Sequence, residues 1–284
     1  MINLRGARIG KNKNMTAMTQ TIPFLNTSLR FTDSGRGPAL VLLHGYLESL
    51  EIWDGFRERL EKHFRVICPD LPGHGKSGVT GEVHEMELLA ESVAAVLDHC
   101  EADKCFIVGH SMGGYGGLAF LELYPDRLAG LCLFHSHPLP DTKQVMNNRC
   151  REIVLVNQGK KELISKINIP RAFASVNLER LAHEVERATA IATSTPDEGI
   201  VACLNGMMKR PSRETLLAAT GKPVLLIAGR HDNYIPFEDA AKKVKLPRTG
   251  QFEALDNSGH IGFVEEPERS AELITRFVKE NAEF

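Results

Sequence analysis

Short, almost uninterrupted apolar runs recur along this chain: Ala39-Leu40-Val41-Leu42-Leu43, Phe64-Arg65-Val66-Ile67-Cys68, Cys105-Phe106-Ile107-Val108, Gly130-Leu131-Cys132-Leu133-Phe134, Pro223-Val224-Leu225-Leu226-Ile227-Ala228 and the weaker stretch from Gln251 to Leu255. Runs of this length read as buried strands rather than as one-faced surface strands. Helix-like segments separate them from residue 21 onward. That alternation predicts an α/β protein with a mostly parallel, doubly wound sheet and helices on both faces.

One interval breaks the rhythm. Between the run ending at Phe134 and the run opening at Pro223, nearly everything reads as helix. Asn177 is a candidate cap for a segment through Leu178, Leu181, Val185, Ala188 and Ile191, whose apolar residues recur at helical spacing with charges between them. A second helix is predicted from Thr195-Pro196-Asp197-Glu198 through Val201, Leu204 and Met207 to Lys209. The resulting division is a core of residues 21–136 and 221–284 with a helical insertion at 137–220. Residues 1–20 stand apart as a basic tail with Arg5, Arg8, Lys11 and Lys13, no acid and no apolar core of a secretory signal, and are expected to be disordered. Met15 and Met18 leave the translation start open.

The chemistry concentrates at the ends of the apolar runs. Cys105-Phe106-Ile107-Val108 leads directly into Gly109-His110-Ser111-Met112-Gly113, and a helix-like segment leaves it. A serine on a tight strand-to-helix turn is strained, and small neighbours two residues before and after relieve the crowding. Ser111 is thus the candidate nucleophile. The glycines at 113, 114, 116 and 117 are poor helix formers that are expected to let the helix lie close to the sheet, and Pro125 stops it. A serine needs a base, and the base needs a group that fixes its tautomer. Asp232 follows the run that begins at Pro223, and His260, in Ser258-Gly259-His260-Ile261-Gly262, follows the last run. His44-Gly45-Tyr46-Leu47 follows the first and can present a backbone N–H; the residue after the nucleophile, Met112, can present another.

Serine, aspartate and histidine in that order, each at a strand end, with an oxyanion loop after an earlier strand, resemble the α/β-hydrolase family, in particular its small, cap-bearing esterase and haloperoxidase-like members. The resemblance covers residues 21–284 and takes in Asp70-Leu71-Pro72-Gly73-His74-Gly75-Lys76-Ser77 and Glu265-Glu266-Pro267. It implies Ser111, Asp232 and His260 as catalytic residues and the amides of Tyr46 and Met112 as the oxyanion hole. It also implies that the insertion is a cap which roofs the pocket and selects the substrate. Leu47, His135 and His137 are then candidate substrate contacts. Asp256 is the rival for Asp232, and His44, His110 and His231 are neighbours of the catalytic parts rather than bases.

The implied activity is acyl transfer to water, the hydrolysis of a small ester, thioester or lactone, with a mainly apolar pocket lined from Leu163, Ile164, Phe173, Leu204 and Met207. The alternative is a carbon–carbon bond hydrolase or a lyase acting on a cyclic diketo acid, for which Arg149, Arg151 or Arg171 would meet the substrate anion. A binding protein without catalysis is the third class. No cofactor or metal is expected: Gly114-Tyr115-Gly116-Gly117-Leu118-Ala119 matches a dinucleotide pattern but falls inside a helix, Gly75-Lys76-Ser77 lacks the leading glycine of a phosphate loop, and His135-Ser136-His137 has no nearby carboxylate in the sequence. A formal charge of -2 gives no nucleic-acid footprint, and no apolar run is long enough to span a membrane. The partner is therefore a small acyl compound, with the oligomeric state open. The 6 cysteines, without a Cys-x-x-Cys pair, read as reduced thiols in a cytoplasmic protein.

Overall fold

The computed structural model describes residues 18–282. The chain opens on an antiparallel hairpin, β1 (Met18–Phe24) and β2 (Thr27–Gly35), which turns at Leu25 with φ 49°. Met18, Thr19 and Gln20 pair with Asp33, Thr32 and Phe31, so these three residues belong to the sheet and not to the expected tail. Cross-strand pairing orders them where composition alone suggested none. The rest of that tail lies outside the described residues.

Next come β3 (Ala39–Leu43), the short helix α1 (Arg57–Leu60), β4 (Arg65–Pro69), α2 (Met86–His99), β5 (Cys105–His110), α3 (Met112–Leu123) and β6 (Leu128–Phe134). Five helices then intervene: α4 (Lys143–Asn157), α5 (Lys161–Ala172), α6 (Ala182–Ser194), α7 (Asp197–Lys209) and α8 (Glu214–Ala219). The chain returns through β7 (Val224–Gly229), α9 (Phe237–Lys243), β8 (Gly250–Leu255), the single turn α10 (Gly262–Glu265) and α11 (Pro267–Asn281). The eight-stranded sheet has the order β1-β2-β4-β3-β5-β6-β7-β8, antiparallel at β1/β2 and β2/β4 and parallel throughout the rest.

The central strands are buried on both faces, as their continuous apolar runs require: every residue of β5 and of β7 is buried. One cover is α11, whose Leu273, Ile274, Phe277 and Val278 form its buried stripe. Another is α3, which lies close enough that a Cβ at Gly117 would stand 2.8 Å from Leu131 of β6. Gly116 turns away from the sheet, toward Leu89 of α2.

Helix α7 spans Asp197–Lys209, matching the segment predicted there. The other predicted helix starts late. Asn177 sits in a 3-10 turn, Ser175–Asn177, and α6 begins only at Ala182. Its side-chain amide donates instead to the carbonyl of Asn257 at 2.7 Å and to Glu265 at 2.8 Å. A buried carboxylate far along the chain outcompetes the local cap. Among the described residues, no helix is long and apolar enough to cross a membrane.

Candidate active site

Ser111 occupies the bend between β5 and α3 with φ 50° and ψ -113°, a region that a non-glycine residue adopts only when its surroundings force it. Its amide donates to the carbonyl of Phe134 at 3.0 Å, and its own carbonyl accepts from Ser136 Oγ at 2.7 Å. The turn is therefore pinned to the neighbouring strand end. Ahead of it, Gly113 presses against the carbonyl oxygens of Leu43 and His44, where any Cβ would collide. This contact brings the first turn of α3, and with it the unpaired amide of Met112, beside the loop carrying Tyr46.

The acid and the base meet from the ends of β7 and β8. His260 Nδ1 donates to Asp232 Oδ2 at 2.8 Å, and both side chains are buried. Asp232 Oδ1 accepts the backbone N–H groups of Tyr234 and Ile235 at 2.8 and 2.9 Å. Burial opposes ionisation of this carboxyl, but the His260 imidazole and the hydrogen bonds of His135 and His260 outweigh it and hold Asp232 far below the usual carboxylate range. The rival acid is elsewhere: Asp256 pairs with Arg230 at 2.5 Å on the surface, its side chain 70% exposed against 1% for Asp232. His231 is exposed as well.

His135 lies in the interior. Its side chain is fully buried behind the acid, with Nδ1 3.3 Å from Asp232 Oδ2. The short sequence His135-Ser136-His137 hid this, because the carboxylate it meets lies across two strand ends. His135, Asp232 and His260 place ligand-type atoms within 4.8 Å of one another, yet the carboxylate oxygen concerned already accepts the His260 N–H, an acid–imidazole pair rather than a cation cage. His137 is partly exposed, 5.5 Å from the Tyr115 ring, and its Nδ1 accepts the amide of Leu139. Leu47 has φ 61° and is buried in the core cluster.

The loop after β3 is held by Glu48, which no motif in the sequence singles out, and by His110. Glu48 Oε2 accepts the amide of Gly45 at 2.5 Å and faces Nδ1 of His110 at 2.9 Å. His110 Nε2 faces the carbonyl of His260 at 2.7 Å. Both ring nitrogens thus point at acceptors, which only an imidazolium satisfies. Burial alone would lower the His110 pKa, but the adjacent Glu48 carboxylate raises it. His44 is the opposite case: its Nδ1–H donates to Gly45, its Nε2 accepts from Leu71, and burial keeps it neutral. Neither ring is free to act as a base on Ser111.

Between β6 and β7 the expectation of a mainly apolar lining fails in part. Ile164, Phe173, Leu204 and Met207 are buried, but Leu163 is 50% exposed. Asp141 binds two guanidiniums, Arg149 at 2.6 Å and Arg210 at 2.6 Å, and Arg210 lies over the Tyr115 ring, one helical turn beyond Ser111. Glu152 accepts from Asn168 at 2.6 Å, and Asn168 in turn accepts from the hydroxyl of Tyr234, whose ring lies 5.2 Å from that of His260. Arg171 stands over Tyr234, while Arg151 is exposed. Helical periodicity cannot reveal such a cluster, since its members come from separate elements. The insertion is also tied to the base: Ala172 accepts the amide of His260 at 2.6 Å, and Glu265 joins the amides of Ala174 and Gly259.

This arrangement has counterparts. Residues 38–159 match the model of the alpha/beta hydrolase fold. A thermophilic esterase from Thermogutta terrifontis superposes with a TM-score of 0.87 at 32% identity, over 93% of this chain and 98% of that one. The enol-lactonase from Burkholderia xenovorans LB400 superposes with a TM-score of 0.85 at 22% identity, over 92% and 100% of the two chains, a likeness of fold. In sequence, the chain is 26% identical over 254 residues to the pimeloyl-[acyl-carrier protein] methyl ester esterase of Aeromonas hydrophila, covering 86% of this chain and 96% of that protein. With a serine elbow on β5, an acid after β7, a histidine after β8 and a near-full-length match to a relative above 30% identity, the chain belongs to the α/β-hydrolase fold family.

Proposed function

We propose that this protein is a serine hydrolase that cleaves a small ester, thioester or lactone through an acyl-enzyme formed on Ser111. The observation that carries the reading is the 2.8 Å bond between His260 Nδ1 and Asp232 Oδ2, made from loops that His110 connects to the serine turn. With Nδ1 committed to Asp232, the lone pair of His260 is on Nε2, where it can take the serine proton. Ser111 Oγ attacks the substrate carbonyl, and the amides of Tyr46 and Met112 receive the oxyanion. His260 returns the proton to the leaving group, and water, activated by the same imidazole, releases the acid. The helices within 137–220 act as a cap that shapes the acyl site. The esterases among the relatives support this reading.

A second reading has one observation in its favour. The guanidiniums of Arg149 and Arg210, held by Asp141, stand in the insertion beside Tyr115, where they would meet the anion of a substrate such as a cyclic diketo acid. One panel tests both. A fluorophosphonate probe should label Ser111 and not a Ser111→Ala variant, and 4-nitrophenyl esters of rising chain length should be hydrolysed in preference to cyclic diketo acids. Turnover of the diketo acids with no ester hydrolysis would move the assignment to carbon–carbon cleavage.

A further inference from the structure

Asp232 serves two imidazoles. The second, His135, leaves β6 with φ 48°, and its ring fills a slot between the end of β7 and the start of α10. Glycine is required on both walls: a Cβ at Gly229 would lie 2.9 Å from His135 Cε1, and one at Gly262 would lie 2.7 Å from Nε2. The ring stacks on Phe134 at 4.9 Å and has no exposed side-chain surface. It therefore has one orientation available.

That orientation selects a tautomer. Nε2 faces the amide N–H of Gly262 at 3.2 Å, which it accepts when it carries the lone pair. Nδ1 faces Asp232 Oδ2 at 3.3 Å and is also approached by the amide of Gly229 at 3.2 Å. A proton on Nε2 would set N–H against N–H at Gly262 and a lone pair against the carboxylate. A proton on Nδ1 sets N–H against N–H at Gly229 instead, but turns the donor of the ring toward the carboxylate, and that charge decides between the two. Burial pushes the His135 pKa down to about 4, so the ring is neutral at pH 7.

We propose that His135 is a positioning residue of the catalytic acid: its Nδ1–H shares Asp232 Oδ2 with the Nδ1–H of His260, fixes the carboxylate plane and draws part of its negative charge away from His260. The proposal rests on the serine-hydrolase reading given above. Its consequence is a less basic His260 than one served by Asp232 alone. The groups facing His260 are Asp232, His135 at 5.7 Å, His110 at 5.0 Å and Tyr234 at 5.2 Å, with His137 farther along the β6 exit. Of these, His135 is the one whose ring nitrogen lies beside the Asp232 carboxylate that His260 uses.

The test is the pH profile of kcat/KM for a 4-nitrophenyl ester. The acid limb reports protonation of His260. In His135→Leu, which fills the slot without a donor, that limb should move up by about half to one pH unit and kcat should fall about tenfold. His135→Asn, whose amide can reach the Nδ1 position and which tolerates φ 48°, should bring the limb back to the wild-type value. A limb that does not move in the leucine variant, or that stays displaced in the asparagine variant, overturns the proposal. If His135→Leu does not fold, the ring nitrogen spectrum of ¹⁵N-labelled wild-type protein decides. A proton on Nδ1 of His135 between pH 6 and 8 is required, and a proton on Nε2 refutes it. Failure of the serine-hydrolase reading looks different: Ser111 goes unlabelled and ester hydrolysis is absent, while the tautomer is still readable.

Discussion

The ring of His110 and the backbone carbonyl of His260 meet at 2.7 Å, so the residue that precedes the candidate nucleophile holds the loop of the candidate base. The same ring reaches Glu48, which in turn accepts the amide of Gly45 in the candidate oxyanion loop. One buried ring thereby ties together the loops that carry Gly45, the candidate nucleophile and the candidate base. Their relative placement is set before any substrate arrives.

Glu48→Gln removes the charge that keeps His110 protonated. The ring can then shed a proton, which softens the loss, but one of its two contacts fails. Thermal unfolding should show a destabilisation of about 2–3 kcal/mol, below the usual cost of orphaning a buried charge. Ester kcat should fall about tenfold or more as the Gly45 loop loosens. A variant as stable and as active as wild type would show that the pair contributes nothing.

Asp232→Asn keeps the side-chain shape but presents an amide where the carboxylate oxygen accepted, which favours the wrong tautomer of His260. A loss of roughly 10³ to 10⁴ in kcat is expected. Asp256→Asn should change kcat by less than about twofold, since exposed ion pairs contribute little. Steady-state kinetics on one activated ester compares the two directly, and reversed magnitudes would transfer the role to Asp256.

Ser111→Ala and His260→Ala should each cost on the order of 10⁴ to 10⁶ in kcat, and the double variant should be scarcely slower than either single one. Residues that act as one unit do not contribute additively. Additive losses, measured with enough enzyme to detect the residual rate, would mean that the two side chains work independently. Circular dichroism should show all three variants folded.

Acid should unfold this protein early. Burial lowers the pKa of His74 from 6.5 to about 3, and of His135 and His137 from 6.5 to about 4. Because these rings stay neutral in the folded state while the unfolded chain binds protons from pH 6.5 downward, their stabilisation is complete above pH 6.5 and is lost as the pH falls toward 4. At pH 5 each of the two fully buried rings, His74 and His135, costs about 2 kcal/mol. His110, with its pKa raised, has the opposite sign, but it is one group against several. Calorimetry should show Tm level between pH 7 and 8 and falling steeply from pH 6.5 to 4.5. A flat Tm across that interval would refute the assignment of neutral buried rings.

The sequence by itself determined the parallel core strands, the serine elbow and the order of serine, acid and base, because each is written within a few neighbouring residues. Apolar runs follow from burial on both faces, and the glycines around Ser111 follow from local sterics. The start of α7 is equally local, with Pro196 preceding Asp197 and Glu198. Tertiary structure decided what proximity in the chain could not. Glu48 and His110 lie 62 positions apart and meet because β3 and β5 are hydrogen-bonded neighbours. Asp232 rather than Asp256 reaches His260 because the β7 loop turns inward, where its acid is buried, while Asp256 finds Arg230 in water. His135 reads from the sequence as a pocket residue, yet the slot between Gly229 and Gly262 draws it behind the acid. Asn177 reads as a helix cap, and the buried Glu265 claims it instead. In each case a long-range partner for a buried polar group outweighed the local preference, since an unpaired donor or charge in the interior costs more than a helix cap contributes.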